Sequence, residues 1–278
     1  LETTLLLHGV PREQALPLHH ELTKLCRESG AEPRLIGVHA GAPVAGLSDA
    51  QLTDLLAAQS VPKLNTASLG PALFRNQHGA TTVSTTMELA AGAGIRVFAT
   101  GGLGGVHQGL INRLDISADL MAFTRFPVAV VTAGCKSILD VINTRELLET
   151  LGVCVVGFQT DRFPAFYTRD GGVGVDARFD DVDELAWFLD HELIRTGRGV
   201  VVCNPIPQRD ALDEKQFATW LAQAQDRASK HHAAGRDVTP MILQGLHELS
   251  GGATLRANIA LVKNNVTLAA KLASKMKG

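Results

Sequence analysis

No apolar run in the sequence approaches the ~20 residues of a transmembrane helix, so no segment reads as a membrane span. Lysine and arginine number 26 against 28 aspartates and glutamates. That balance offers no basic footprint for a nucleic acid polymer or an anionic membrane surface. Only four cysteines occur, Cys26, Cys135, Cys154 and Cys203, far apart and without a CxxC pair. With no HExxH segment either, a zinc site has no ligand pattern to rest on. Reduced, buried thiols in a cytoplasmic protein are the expectation. The chain has no fixed-period repeat and no low-complexity tract. It opens at Leu1-Glu2-Thr3-Thr4 with neither a methionine nor a signal-like segment, and residues upstream of Leu1 are expected.

What is present is an ordinary globular composition, 278 residues of which 45% are hydrophobic and 19% charged, long enough for a substantial core. Strand-like and helix-like segments alternate. Strands are predicted at Leu5 to His8, Arg34 to His39, Ile95 to Thr100, Val128 to Val131, Val153 to Phe158, Val173 to Arg178 and Val200 to Cys203. A helix with Pro11 in its first turn runs to about Ser29 and stops at Gly30. Ser48 and Gln51 form a capping-box start for a helix through Ala58. Further helices are predicted at Thr82 to Ala91, from the Asp181/Glu184 cap to Gly197, and at Glu214 to His232, Pro240 to Leu249 and Leu255 to Met276. The alternation predicts a single α/β domain, residues 1–278, around a largely parallel sheet, with ligands beyond the carboxyl ends of strands.

Candidate chemistry concentrates between Ala99 and Ser137. Gly101, Gly102, Gly104, Gly105 and Gly109 follow the Ile95 strand, with Thr100 and His107 as hydrogen-bond donors beside them. Glycine permits positive φ and close backbone approach, so the loop suits a phosphate cradle, although a structural turn would use the same residues. Asp115 and Asp119 lie four apart; Ser117 reads as a helix start that leaves Asp115 outside and Asp119 in the first turn. Oxygen ligands of this kind suit Mg²⁺ or Mn²⁺, held by one carboxylate and several waters. Lys136 ends an apolar strand among small residues, where burial would favour the neutral amine that imine chemistry needs. Lys63, after Val61-Pro62, could add cationic repulsion. Glu2, Asn258 and the Asn264-Asn265 pair have by themselves only bland readings, as a terminal residue and polar helix-face residues.

Taken in order, several stretches resemble the pseudouridine-5'-phosphate glycosidase family. They are Glu2-Thr3-Thr4 with His8-Gly9, Gly79 to Val83, Phe98 to His107, Asp115 to Leu120, Ala133 to Asp140, Pro164-Ala165-Phe166, Asn204 to Pro207 and Asn258-Ile259. The resemblance implies an α/β/α sandwich with a central, mostly parallel (mixed) sheet, usually trimeric. It implies reversible breakage of the C–C bond between ribose 5-phosphate and uracil, with Lys136 as the nucleophile forming an imine and Glu2 as the proton donor. Asp115 would hold Mn²⁺ or Mg²⁺. Lys63, Val83, Ser117, Ala118, Asp119 and Asn258 would contact substrate, with Thr100 and His107 near the sugar phosphate.

The departures from that pattern are local. The family usually follows its lysine with Ser-Arg-Arg-Asp-Leu, whereas Lys63 is followed by Leu64 and then Asn65-Thr66-Ala67-Ser68-Leu69. Gln108 stands where an arginine is usual, and Leu110 to Leu114 replaces a polar segment. An amide does not replace the arginine fork. These changes resemble the C-glycosynthase branch of alnumycin-type aromatic polyketide biosynthesis. They place synthesis, joining ribose 5-phosphate to an aromatic acceptor, ahead of uracil release as the expected direction.

Overall fold

The computed structural model describes residues 1–109, 114–230 and 238–277. The Leu110 to Arg113 part of the divergent segment, and the end of the helix expected to reach His232, lie outside them. In chain order the elements are α1 (Thr3–His8), α2 (Arg12–Glu28), β1 (Ile36–His39), β2 (Ala42–Ala45), α3 (Asp49–Ala57), β3 (Lys63–Leu64), α4 (Thr66–Phe74), β4 (Ala80–Thr81), α5 (Val83–Gly92) and β5 (Val97–Ala99). They continue with α6 (Ala118–Ala122), β6 (Ala129–Thr132), α7 (Val141–Thr150), β7 (Val155–Phe158), β8 (Ala177–Phe179), α8 (Val182–Thr196), β9 (Val200–Cys203), α9 (Glu214–Lys230), α10 (Val238–Leu249) and α11 (Ala253–Lys275).

Five strands form the main sheet in the order β5-β6-β9-β7-β8, and every pairing in it is parallel. The expected antiparallel component is real but sits elsewhere, in the separate β1-β2 pair; β3 and β4 make a third, parallel pair. Every residue of β6 and β9 is buried. Continuous apolar strands of this kind need helices over both faces. The core they help form runs from Leu5 on α1 to Leu272 on α11. Among the described residues no helix is long and apolar enough to cross a membrane.

Local chemistry explains most element ends. Ser48 and Gln51 complete the expected capping box on α3. Asp181 caps α8, and Gly197 ends it in the left-handed conformation, as glycine at that position does without a Cβ penalty. Three expectations need correction. Leu5 to His8 is helical, not extended, with Leu5 and Leu6 buried on one face of α1; a run this short carries no periodicity that separates the two states. Pro11 is the N-cap of α2 rather than part of its first turn. The strand placed at Val173 to Arg178 starts late: Val173 and Val175 bond to the 161–163 turn, and only residues 177–179 join the sheet. The α4 and α7 helices and strands β2, β3 and β4 have no counterpart in the sequence reading. All are short, and α4 is mostly small residues around an internal Pro71.

Candidate active site

Beyond the carboxyl ends of β5 and β6 two irregular segments lie side by side. The Leu103 N–H donates to the Gly134 carbonyl at 2.8 Å and the Lys136 N–H to the Leu103 carbonyl at 3.1 Å. This places Lys136 beside the glycine loop, half-buried rather than enclosed. Gly134 makes the turn possible: its φ is +83°, and a Cβ there would overlap the Pro164 carbonyl. The neighbouring Cys135 thiol is pushed up to about 12 by burial, which keeps it a neutral, unreactive thiol.

The 163–168 turn clamps these segments from outside. The Phe166 N–H donates to the Ala133 carbonyl at 2.9 Å, and Ser137 Oγ donates to the Ala165 carbonyl at 2.5 Å. Phe166 has φ +61°, a conformation that costs a bulky residue about 1–3 kcal/mol and persists only where the surroundings enforce it. Its ring lies where a Cβ on Gly102 would be.

The glycines therefore act through space rather than through positive φ. A Cβ on Gly104 would come 2.7 Å from Asp119 Oδ2 and overlap Ser117 Oγ, and one on Gly105 would overlap Thr144 Oγ1. Of the loop glycines only Gly109 has positive φ, +82°. Residues 101–106 are buried, and the amides of Leu103, Gly104, Val106 and His107 are bonded to Gly134 O, Asp119 Oδ2, Thr144 Oγ1 and Asp115 O. The expected phosphate cradle is thus largely saturated from within.

Asp119 is the main pin. It is 4% exposed, and its two oxygens accept from the backbone N–H of Ser84 at 2.9 Å and of Gly104 at 2.8 Å. One carboxylate thereby joins the start of α5, the glycine loop and the start of α6. Ser117 is the N-cap of α6, its Oγ accepting from the Asp119 N–H at 3.2 Å, and Ala118 is the first helical residue. The expected helix start and the position of Asp115 outside it are both observed. His107 and Asp115 face each other, the His107 N–H donating to the Asp115 carbonyl at 2.9 Å.

Glu2 caps α1 in extended conformation and bridges to Ile36, which carries it from the chain start into the interior. Thr100 Oγ1 donates to Glu2 Oε1 at 2.5 Å. Burial raises the Glu2 pKa above the ordinary carboxylate value; Lys136 and the Thr100 hydroxyl oppose that rise, and Asp119 adds to it. Lys63, the exposed residue of β3, is lowered by the surrounding protein and by the Lys136 charge, with Glu2 opposing. The Lys136 charge thus acts on both Lys63 and Glu2, and the three share one electrostatic neighbourhood. Val83 is buried at the start of α5. Asn258, on α11, donates to the Gly9 carbonyl at 3.2 Å, while its buried Oδ1 has no partner and lies beside Gly101.

Among the described residues no group of three His, Cys, Asp or Glu side chains could form a metal cage. Half-buried Asp115 fits a divalent cation in the remaining way, as a single hard oxygen ligand with water completing the shell.

The Asn65-Thr66-Ala67-Ser68 departure has a simple structural form. Asn65 and Ser68 make a reciprocal capping box that opens α4 immediately after β3. Both groups are neutral and are satisfied by each other. Gln108 is exposed and accepts from Gln225 Nε2 of α9 at 3.3 Å.

Known proteins share the sequence and the fold of this chain. The family model described as indigoidine synthase A-like protein covers residues 1–275. The chain belongs to that family. It is 46% identical over 279 residues to a pseudouridine-5'-phosphate glycosidase of Methylobacterium nodulans, covering 100% of this chain and 83% of the relative. It is 44% identical to the enzyme of that name from Geobacillus kaustophilus, covering 99% and 92%. Among solved structures, the prealnumycin C-glycosynthase AlnA in complex with ribulose 5-phosphate aligns with TM-score 0.90 at 34% identity, covering 99% of this chain and 90% of that one. An indigoidine synthase A-like protein of Thermotoga maritima aligns with TM-score 0.90 at 35% identity, covering 99% and 91%. As a member of the indigoidine synthase A-like family, the chain is an enzyme of carbon–glycosidic bond chemistry.

Proposed function

We propose that the enzyme cleaves pseudouridine 5'-phosphate to uracil and ribose 5-phosphate, and forms the same bond in reverse, through an imine on Lys136. The observation that carries the reading is a buried carboxyl group, Glu2, held by the Thr100 hydroxyl, with its pKa raised by burial, a rise that the Lys136 charge opposes. A C–C glycoside has no oxygen leaving group, so acid catalysis alone does not break it. Glu2 gives its proton to the ring oxygen as Lys136 takes C1', and the sugar opens. In the secondary amine so formed, the nitrogen lone pair makes the C1'=N bond as the uracil carbon leaves with the carbon–carbon electron pair and gains a proton, and water then returns the aldehyde and the free amine.

Lys63, Val83, Ser117, Ala118, Asp119 and Asn258 are the proposed substrate contacts. The unpartnered Asn258 Oδ1 supports this role as a ready acceptor for a sugar hydroxyl. In the same reading Thr100 and His107 would lie nearest the sugar phosphate. Asp115 would hold Mn²⁺ or Mg²⁺, which supplies positive charge beside an anionic substrate. The exposed Leu114, Ile116, Met121 and Ile142 suit burial against further copies in a homotrimer. A cytoplasmic location belongs to the same reading.

Synthesis stood first on the sequence departures alone. The two glycosidase relatives, at 46% and 44% identity, reverse that order. The synthetic alternative, joining ribose 5-phosphate to an aromatic polyketide of the alnumycin type, keeps one supporting observation: the neutral Asn65/Ser68 box beside Lys63. Incubation with pseudouridine 5'-phosphate and Mn²⁺ separates the two. Uracil release is expected, and its absence alongside carbon–carbon coupling to an aromatic acceptor would put synthesis first again. Borohydride should trap ribose 5-phosphate on Lys136; an adduct elsewhere, or none, sinks the imine mechanism.

A further inference from the structure

Asn265, on α11, is fully buried, and its amide is used at both ends. Its Nδ2 donates to the Thr100 carbonyl at 2.8 Å, and its Oδ1 accepts from Asn204 Nδ2 at 3.0 Å. Asn204, also buried, follows β9 and donates its own N–H to the Thr132 carbonyl at 2.8 Å. One side chain of α11 thus ties the carboxyl ends of β5 and β9 across β6, the strand that leads to Lys136.

The Thr100 N–H is already held by the Val131 carbonyl at 3.0 Å. With its carbonyl fixed as well, the residue has little freedom to turn, and its hydroxyl is left aimed at Glu2 Oε1. For packing alone an apolar residue would serve at this position, as Leu261, Val262, Val266 and Ala269 do on the same helix. Burying an amide there costs free energy unless every polar atom finds a partner, and a fully satisfied network fixes one geometry.

We propose that Asn265 is a positioning residue for the proton donor, acting on Glu2 through Thr100. The inference rests on the reading of Glu2 given above. Thr100 spends its one hydroxyl proton on Oε1, which favours the ionised carboxyl and leaves Oε2 to carry the transferable proton. Burial pushes Glu2 toward holding its proton; the Thr100 hydrogen bond limits that push and keeps the proton transferable. Without Asn265 the Thr100 peptide is free to rotate, the hydrogen bond lengthens, and the Glu2 pKa climbs further.

The test is the pH dependence of pseudouridine 5'-phosphate turnover in the full chain. Asn265→Leu is expected to lower kcat ~10-fold or more, with KM within ~2-fold, because the lost geometry concerns proton transfer rather than binding. The alkaline limb, where protonated Glu2 is lost, moves up by about half to one pH unit. Adding Asn265→Leu to Thr100→Val should shift the limb no further, since the second change acts through a group already removed. Should Asn265→Leu fail to fold, Asn204→Ala removes only the far anchor and is expected to move kcat and the limb in the same direction by less. A soluble variant with a lowered unfolding midpoint but wild-type kcat and an unmoved limb makes Asn265 a packing residue and overturns the proposal. Wild-type protein that neither turns over nor traps ribose 5-phosphate refutes the reading of the site itself, and this inference with it.

Discussion

Replacing Asp119 by asparagine separates the structural from the electrostatic work of one carboxylate. Asp119 is 4% exposed and accepts two backbone hydrogen bonds, one on each oxygen. Asparagine keeps a single acceptor, so its NH₂ must face either the Ser84 or the Gly104 N–H, donor against donor. The variant loses one charge-assisted hydrogen bond and strands a buried N–H, together about 2–4 kcal/mol. For a domain of this size that corresponds to a thermal midpoint lower by on the order of 5–10 °C. The second effect has a fixed sign. Asp119 is among the charges that raise the Glu2 pKa, so removing it lets Glu2 ionise at lower pH. The alkaline limb of turnover should then move down, opposite to the shift expected for Asn265→Leu. Urea denaturation gives the first quantity and a pH–kcat profile the second. An unchanged unfolding midpoint would show that the two hydrogen bonds do not hold the loop. A limb that moved upward would refute the electrostatic account of Glu2.

Three other outcomes follow from the same geometry. Lys136→Ala should abolish turnover and borohydride trapping while leaving circular dichroism and the urea midpoint within ~0.5 kcal/mol of wild type, since the side chain is only half-buried. Gly134→Ala meets a φ of +83° and the Pro164 carbonyl together; a loss of about 3 kcal/mol or more is expected by urea titration, and a neutral result would mean that the lysine turn is loosely held. Lys63→Met removes a cation whose pKa is held down by its surroundings and by Lys136. A lysine lowered in the folded state weakens folding while charged, so the urea midpoint at pH 7 should stay level or rise as KM for pseudouridine 5'-phosphate increases. A fall in midpoint with KM unchanged would contradict both halves.

Much of the fold was legible because its signals are local. The Ser48/Gln51 box, the Asp181 cap with Gly197, and the uniformly apolar β6 and β9 segments each identify their element from a few neighbouring residues. Leu5 to His8 is not legible for the converse reason, since three leucines and a histidine alone fit either state and only packing of Leu5 and Leu6 into the core makes them a helix. The same limit governed the glycine loop. Its composition marked it as unusual, but the reason for each glycine is a contact with Phe166, Ser117 or Thr144, all distant in the chain. Asn265 was legible only as one polar residue on a helix face. Its burial and both partners come from segments 61 and 165 residues away.

By itself the sequence determined the alternation of elements, the lysine at a strand end, the carboxylate pair around a helix start, and the absence of zinc, membrane-span and nucleic-acid signatures, because each depends on residues close together or on composition. Tertiary structure alone decided that Glu2, from the start of the chain, is buried against Thr100 within reach of the Lys136 charge. It also decided that Asp119 spends both oxygens on backbone, and that the glycine loop is filled by its own protein rather than open to solvent. Those facts depend on burial and on the field of neighbouring charges, and both exist only once distant segments have packed.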